Sequence, residues 1–439
     1  MRRANSAAAI GTMLEFYDFI IYGLAATLVF GKIFFPADSS LVSTLQALGT
    51  FAVGFLFRPI GGIVLGRIGD RIGRKKVLIL TLVLMGGATT LIGLLPTQGQ
   101  IGISAPILLV VLRILQGIGA SAELGGATIV AVEFASEEKR GLAGSLPGVG
   151  NWSGSVLATG IMALMALLPE DQFLSWGWRV PFLLSLALVA FGLWLRTGLP
   201  ETPEFERIQD PDGKARTSLR ALFTEHYGAV LCVLAVAYAT AAIAFYYQVF
   251  ALSFARGVLE LDATAALVGT LAGSIAALIT TPLFGKLSDR VGRRPVLIFG
   301  LAFSAIFAFG YFWIVSPGSP WQFWLAMMFA VGIGNGALFA TGGTFFVELF
   351  PIGRRFTAFG FSRELANAIG GGLTPLIAVQ LLAVSGGGTL WLSVYVAGVS
   401  LIALVAVLCT RETFRASPDR LDDSGGGAPP TPTGKAVAE

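Results

Sequence analysis

The chain has 439 residues, 55% of them hydrophobic and 13% charged, with a mean hydropathy of +0.77 and a formal net charge of +4. A soluble globule cannot hold that share of apolar residues, so the composition indicates an integral membrane protein. The small positive excess reports where loops lie relative to a membrane and does not point to nucleic acid as a partner.

Apolar runs of about 20 residues recur, each long enough to cross a hydrocarbon core of about 30 Å at about 1.5 Å per residue. Twelve are predicted, at 8–30, 43–66, 77–95, 105–132, 142–167, 179–197, 227–253, 263–285, 295–315, 322–347, 357–383 and 389–410. Arg2 and Arg3 precede the first, as in a signal peptide, but that run carries Glu15 and Asp18 and no small-residue cleavage site follows it. It reads as a retained helix.

Between the second and third spans stands Gly66-Arg67-Ile68-Gly69-Asp70-Arg71-Ile72-Gly73-Arg74-Lys75-Lys76, and between the eighth and ninth Gly285-Lys286-Leu287-Ser288-Asp289-Arg290-Val291-Gly292-Arg293-Arg294-Pro295. The same charged clasp, G-x-x-x-D-R-x-G-R-[RK], thus closes one apolar run and opens another in each half of a duplicated chain. Duplicated membrane bundles work by rocking one half against the other, as carriers do. The expected units are 1–197, a six-helix bundle; 198–226, a polar linker; 227–412, a second six-helix bundle; and 413–439, a tail too poor in apolar residues to order itself.

Of the Lys and Arg residues outside the spans, 24 fall on the side of the amino terminus and only Lys32, Arg179 and Arg256 on the other. Positively charged loops resist translocation, so both termini and both clasps are expected in the cytoplasm, and a multi-pass place in the cell (inner) membrane follows. Trp176, Trp178, Trp313, Trp321, Trp324 and Trp391 fall at the outer ends of the spans, where indoles favour the interface. Cys232 and Cys409 read as small core residues, with no disulfide implied.

Seven ionisable residues lie inside the spans: Glu15, Asp18, Arg58, Arg113, Glu123, Arg363 and Glu364. Each costs about 2.5–3.5 kcal/mol at the bilayer centre, so they must pair or line a wet cavity. By depth, Glu15, Arg58 and Glu123 share a layer, and two acids beside one base do not both ionise comfortably, which suits proton carriage. Asp18 is near the midplane with Tyr22 one turn on. Arg113, with Gln116 on the same stripe, is placed to hold an anion with its forked donors. The alternative is that these residues only tie helices together. Arg363 and Glu364, about 100° apart on their helix, cannot both face a cavity squarely. The one histidine, His226, lies at a helix mouth, which leaves proton traffic to carboxylates.

The chain resembles the major facilitator superfamily, and within it the metabolite:proton symporters, which include shikimate, α-ketoglutarate, citrate and proline/betaine carriers. The residues are Gly11-Thr12-x-x-Glu15-Phe16-Tyr17-Asp18-Phe19 with Tyr22-Gly23, Gly54-Phe55-x-x-Arg58-Pro59-x-Gly61-Gly62, Arg113-x-x-Gln116-Gly117, Gly177-Trp178-Arg179-x-Pro181-Phe182, Glu201-Thr202-Pro203-x-Phe205 and Glu348-Leu349-Phe350-Pro351. The resemblance implies an all-α fold of twelve transmembrane helices in two pseudo-symmetric six-helix bundles, alternating access, and a solute site near the midplane. It also implies that Asp70 faces helix eleven and Asp289 helix five, so that Gly66, Asp70, Arg71, Gly73, Arg74 and Gly285, Asp289, Arg290, Gly292, Arg293 form a cytoplasmic gate. Ser121-Ala122-Glu123 stands where relatives usually carry Gly-Gly-Glu, and Arg363-Glu364 where many are uncharged.

The expected function is uptake of a small organic acid coupled to protons, with no bond made or broken and no cofactor beyond the proton gradient. Glu15, Asp18 and Glu123 are the candidates for proton coupling, tuned by Arg58. Tyr17, Tyr22, Arg113, Gln116, Tyr246, Tyr247, Gln248 and Arg363 are the candidates for substrate, the two last tyrosines serving equally as interfacial anchors. The expected partners are the solute, protons and the lipid bilayer, with the chain acting as a monomer. A proline or betaine carrier is the first rival, and a drug/proton antiporter the second, although the Gly-Pro-x-x-Gly-Gly signature of the latter is absent from helix five. No metal cluster, nucleophile–base pair or phosphate loop supports an enzyme.

Overall fold

The computed structural model describes residues 2–72, 74–121, 124–133, 135–197, 227–350 and 355–414. Among them run α1 (Ala9–Ile33), α2 (Ser40–Leu65), α3 (Ile79–Leu94), α4 (Ser104–Ala120), α5 (Leu146–Met165), α6 (Glu170–Trp194), α7 (Tyr227–Gly257), α8 (Ala263–Val291), α9 (Arg293–Ile314), α10 (Pro320–Leu349), α11 (Phe359–Val384) and α12 (Leu390–Leu408). Nine of these are long and apolar enough to cross a membrane, α3 and α4 are shorter apolar helices, and α5 is diluted by glycine. The linker 198–226 and the tail beyond 414 lie outside the described residues, as does His226.

The helices form two bundles with matching internal contacts. In the first, α1 packs on α5 and α6, α2 on α4, and α3 on α4 and α6; in the second, each contact returns six helices later as α7 on α11 and α12, α8 on α10, and α9 on α10 and α12. The halves meet along two seams that exchange under the same shift, α2 against α11 and α8 against α5.

The glycines that dilute α5 have a packing purpose. A Cβ at Gly150 or Gly154 would run into the carbonyls of Ala9 and Met13, so their absence brings α1 and α5 backbone to backbone. In lipid, where apolar side chains gain nothing by leaving the solvent, such close approach supplies the attraction between helices.

Local breaks aim the polar residues. Pro59 has no N–H to give, and α2 is interrupted at Phe57, immediately before Arg58. α1 carries a π-turn at Ala26–Phe30 and α7 one at Tyr246–Phe250, equivalent places in the two halves, and α10 a longer one at Met328–Asn335. Such turns re-aim side chains and gather at functional sites.

Four expectations change. Trp178 is not an interfacial residue: it is fully buried among Phe30, Phe34 and Phe182. Cys409 is exposed, while Cys232 is in the core. Thr413 is buried and Phe414 stacks on the Arg293 guanidinium, so the second bundle reaches further than 412. α8 continues through its clasp to Val291 where a stop at 285 was expected, because Lys286, Asp289 and Arg290 end its hydrophobic run without ending its helix.

Candidate functional site

Between the halves is a cavity of ≈ 60 Å³, lined by Thr12 and Phe16 of α1, Asn151 of α5, Thr240 and Phe245 of α7, Phe339 and Phe346 of α10, and Arg363 and Asn367 of α11. Ligand pockets are typically about 300–1,000 Å³, so the halves are drawn together around it. They touch at both ends. At the clasp end Asp289 meets α5; at the other, the Phe245 ring packs on Phe51 and Phe55 at 5.6 and 5.0 Å, and Thr264 donates to the Ala166 carbonyl at 3.2 Å.

Asn151 is 1% exposed and neither end of its amide has a protein partner. A buried amide left so is costly unless something that enters the cavity completes it. The cavity thus offers a guanidinium, two amides and threonine hydroxyls on a wall of phenylalanines.

Beside it lies a buried ion triad. Arg58 of α2 donates through Nη2 to Glu15 Oε1 of α1 at 2.6 Å and through Nε to Glu364 Oε2 of α11 at 2.8 Å. Arg58 is 2% exposed, Glu15 0% and Glu364 13%. Helix geometry settles the adjacent pair: Arg363 lines the cavity and Glu364 turns to Arg58. The second acid on Arg58 is therefore Glu364, from the opposite half. Glu123, expected in this layer, lies outside the described residues.

Arg113 is caged inside the first half. Its guanidinium lies 4.1 Å from the Tyr22 ring centre, 4.7 Å from Phe19 and 5.1 Å from Phe51, and it donates to the Gln116 side chain and to the Phe51 carbonyl. It makes no ion pair among the described residues, and Asp18 supplies the nearby negative charge. Asp18 accepts from Ser185 Oγ at 2.6 Å, and Gln116 donates to Thr89 at 2.8 Å. Tyr22 donates to Thr50 at 2.6 Å and Tyr17 to the Pro181 carbonyl at 2.7 Å. Tyr17, Tyr22, Arg113 and Gln116 were expected around substrate; here they bond within their own bundle and do not line the cavity.

In the second half, Tyr246 and Tyr247 are buried and meet edge to face with ring centres 5.0 Å apart, so neither reaches the surface in this conformation. Gln248 is buried with both amide atoms unpartnered. All three are on the π-turn of α7, away from the cavity wall.

At the second clasp, Asp289 accepts from the backbone N–H groups of Gly141 and Leu142 at 2.6 and 2.9 Å, in the short helix Arg140–Gly144 that leads into α5. Arg293 bonds Asp289 at 2.9 Å and reaches Glu348 at 3.3 Å, while Glu412 receives the backbone N–H groups of Arg293 and Arg294. Gly292 has φ +101°, a turn that favours glycine between α8 and α9. Arg290, grouped with the gate from sequence, is exposed. The first clasp's Gly66, Asp70, Arg71, Gly73 and Arg74 fall outside the described side chains.

Sequence reasoning did not single out Asn151, Asn367, Thr12 or Thr240 as site residues. Asn151 had a signal, a lone amide on a glycine-rich apolar helix, and Thr12 stood in the Gly11-Thr12-x-x-Glu15 motif without a role of its own; Thr240 had none, since its hydroxyl donates to the Val236 carbonyl of its own helix.

A "Sugar (and other) transporter" family model matches residues 4–227 and a "Major Facilitator Superfamily" model residues 234–437. The chain is 38% identical over 420 residues to the shikimate transporter of Escherichia coli (strain K12), covering 94% of this chain and 95% of that one. It is 34% identical to a glycine betaine/proline/ectoine/pipecolic acid transporter of Dickeya dadantii (strain 3937), covering 94% and 84%. The proton:xylose symporter XylE bound to 6-bromo-6-deoxy-D-glucose superposes with a TM-score of 0.74 at 17% identity, covering 96% and 98%. A partially occluded inward-open form of the xylose transporter XylE from E. coli gives 0.69 at 18%, covering 94% and 99%. The duplicated twelve-helix architecture and this sequence identity lead to one conclusion: the chain belongs to the major facilitator superfamily and is a multi-pass membrane transporter, not an enzyme.

Proposed function

We propose that the chain is a proton-coupled symporter that takes up a small hydroxylated organic acid by alternating access. The observation that carries this reading is the inter-half cavity, where Arg363 stands with the unpartnered amide of Asn151 and the hydroxyls of Thr12 and Thr240. A guanidinium matches a carboxylate, and amides and hydroxyls match its alcohol groups. The similarity to a shikimate transporter supports the same chemistry.

Proton coupling falls to Glu15 and Asp18, both buried, and to Glu123. The electrochemical proton gradient is the sole energy source, no cofactor is called for, and one chain suffices. The clasps face the cytoplasm of a cell whose inner membrane holds the protein, with both termini on that side.

Betaine-type relatives make an osmolyte the second reading. Quaternary ammonium groups favour Trp and Tyr cages, yet the cavity's described aromatic residues are all phenylalanine, and the rings around Arg113 already hold a cation of the protein itself. That favours the acid.

Purified protein in liposomes with an acidified exterior should accumulate a radiolabelled hydroxy acid from a panel of carboxylates, with betaine as contrast, and lose it on adding a protonophore. Export against the proton gradient would sink symport, and accumulation of betaine alone would replace the acid by the osmolyte.

A further inference from the structure

We propose that Glu364 is a coupling carboxylate, its ion pair with Arg58 a proton-released tie between the two halves. The inference rests on the transport reading above and adds a residue and a role to it. α2 and α11 belong to different bundles, and opening the clasp end requires them to part. Arg58 cannot then follow both Glu15, in its own half, and Glu364, in the other.

Charge decides how the parting happens. With Glu364 ionised, separation strands a carboxylate inside the membrane, which is strongly unfavourable. With Glu364 protonated, it leaves as a neutral acid, and Arg58 with Glu15 stays behind as a matched pair. Of the two acids, Glu364 is the more exposed, and its neighbour Arg363 lines the cavity, so a proton that enters the cavity meets it first.

The proton and the solute also favour each other. An anion drawn to Arg363 lies close to Glu364, so neutralising Glu364 removes a repulsion, and the bound anion favours that protonation in return. Symport of an acid with a proton follows from two adjacent residues.

The charged groups that face Glu364 are Arg58 from α2, Glu15 from α1 and Arg363 from its own helix, all within electrostatic reach of one another. Arg113 of α4 acts on Arg58. Among the described residues, the other helices near α11 contribute charge only at their ends: the short helix Leu124–Glu133 ends on the exposed Glu133, α7 has Arg256 in its last turn, α10 has Glu348 bound to Arg293, α8 has the clasp, and α12 has no ionised side chain; the first clasp's charged side chains are outside the described ones. Glu123 is outside the described residues.

The test needs no substrate. The full chain in nanodiscs carries spin labels across the clasp contact, at Glu137→Cys and Lys286→Cys, with Cys232 and Cys409 replaced, and label distances are measured across a pH series. In the otherwise wild-type chain, acidification should populate a longer distance, the equilibrium moving about tenfold per pH unit through the titration as for one linked proton. Glu364→Gln should show the long distance at every pH, and Glu364→Asp should restore the dependence. In liposomes, Glu364→Gln should keep counterflow exchange and lose accumulation driven by a pH gradient. A wild-type distance indifferent to pH overturns the proposal even if no variant folds, and so does a Glu364→Gln chain with the wild-type pH profile or intact uphill accumulation. A chain that carried no organic acid would fail the uptake panel while the distance series still decided the tie.

Discussion

The two seams between the halves are counterparts under the internal repeat, yet different chemistry closes them. At the α5–α8 seam the Asp289 carboxylate rests on two backbone N–H groups; at the α2–α11 seam the Arg58 guanidinium sits between two side-chain carboxylates. In the first contact Asp289 is the one ionisable partner, whereas all three partners in the second are ionisable. Duplication set where the halves touch, and divergence decided which charges close each seam.

The largest effect is expected at the triad. Arg58→Leu leaves Glu15 and Glu364 buried without their cation, and removing one partner from a buried pair costs about 3–5 kcal/mol. Its thermal midpoint in detergent should fall steeply and uptake should cease; an unchanged midpoint would show that the triad does not hold the seam. At the other seam the next effect is steric. A Cβ at Gly285 would stand 2.7 Å from Ser145 Oγ and 3.0 Å from the Gly141 carbonyl, so Gly285→Val should wedge α8 from α5 at about 1–3 kcal/mol. Cross-linking between cysteines placed across the clasp should report the wider gap, and wild-type cross-linking would refute it.

The smallest effect separates charge from contact. Asp289→Asn keeps an acceptor on the short helix ahead of α5 but removes the anion that the amides of Gly141 and Leu142 favour, worth about 0.3–1 kcal/mol. It should raise the clasp-open fraction modestly, while Arg290→Gln, on an exposed side chain, should change nothing measurable. Equal effects from the two would mean that position along the clasp, and not contact with α5, sets the gate.

Much of the scaffold could be read in advance because a membrane leaves little choice. Each run of apolar residues must be a helix, and the repeated clasp had to fall at equivalent joints. The site was less legible. Depth along a helix is a count of residues, so Glu15 and Arg58 could be placed in one layer; azimuth depends on neighbours, so the partner of Arg58 proved to be Glu364 from the far half. Tyr17 and Tyr22 were read toward the cavity for the same reason, and their hydroxyls turn to Pro181 and Thr50. The π-turns of α1 and α7 rotate the residues beyond them out of the regular 3.6-residue pattern, and no pattern in the sequence announces them.

Sequence alone determined the twelve-helix membrane architecture, the duplication and the set of charges that could not be left in lipid unpaired. Those follow from hydrophobic length and from the cost of charge in hydrocarbon, which are properties of each segment by itself. Tertiary structure alone decided which charge meets which: Arg58 bridging the halves, Arg113 caged within one, Arg363 on the cavity with Asn151 opposite. Pairing is a property of two helices at once, fixed by their packing and rotation, and a linear pattern holds no record of it.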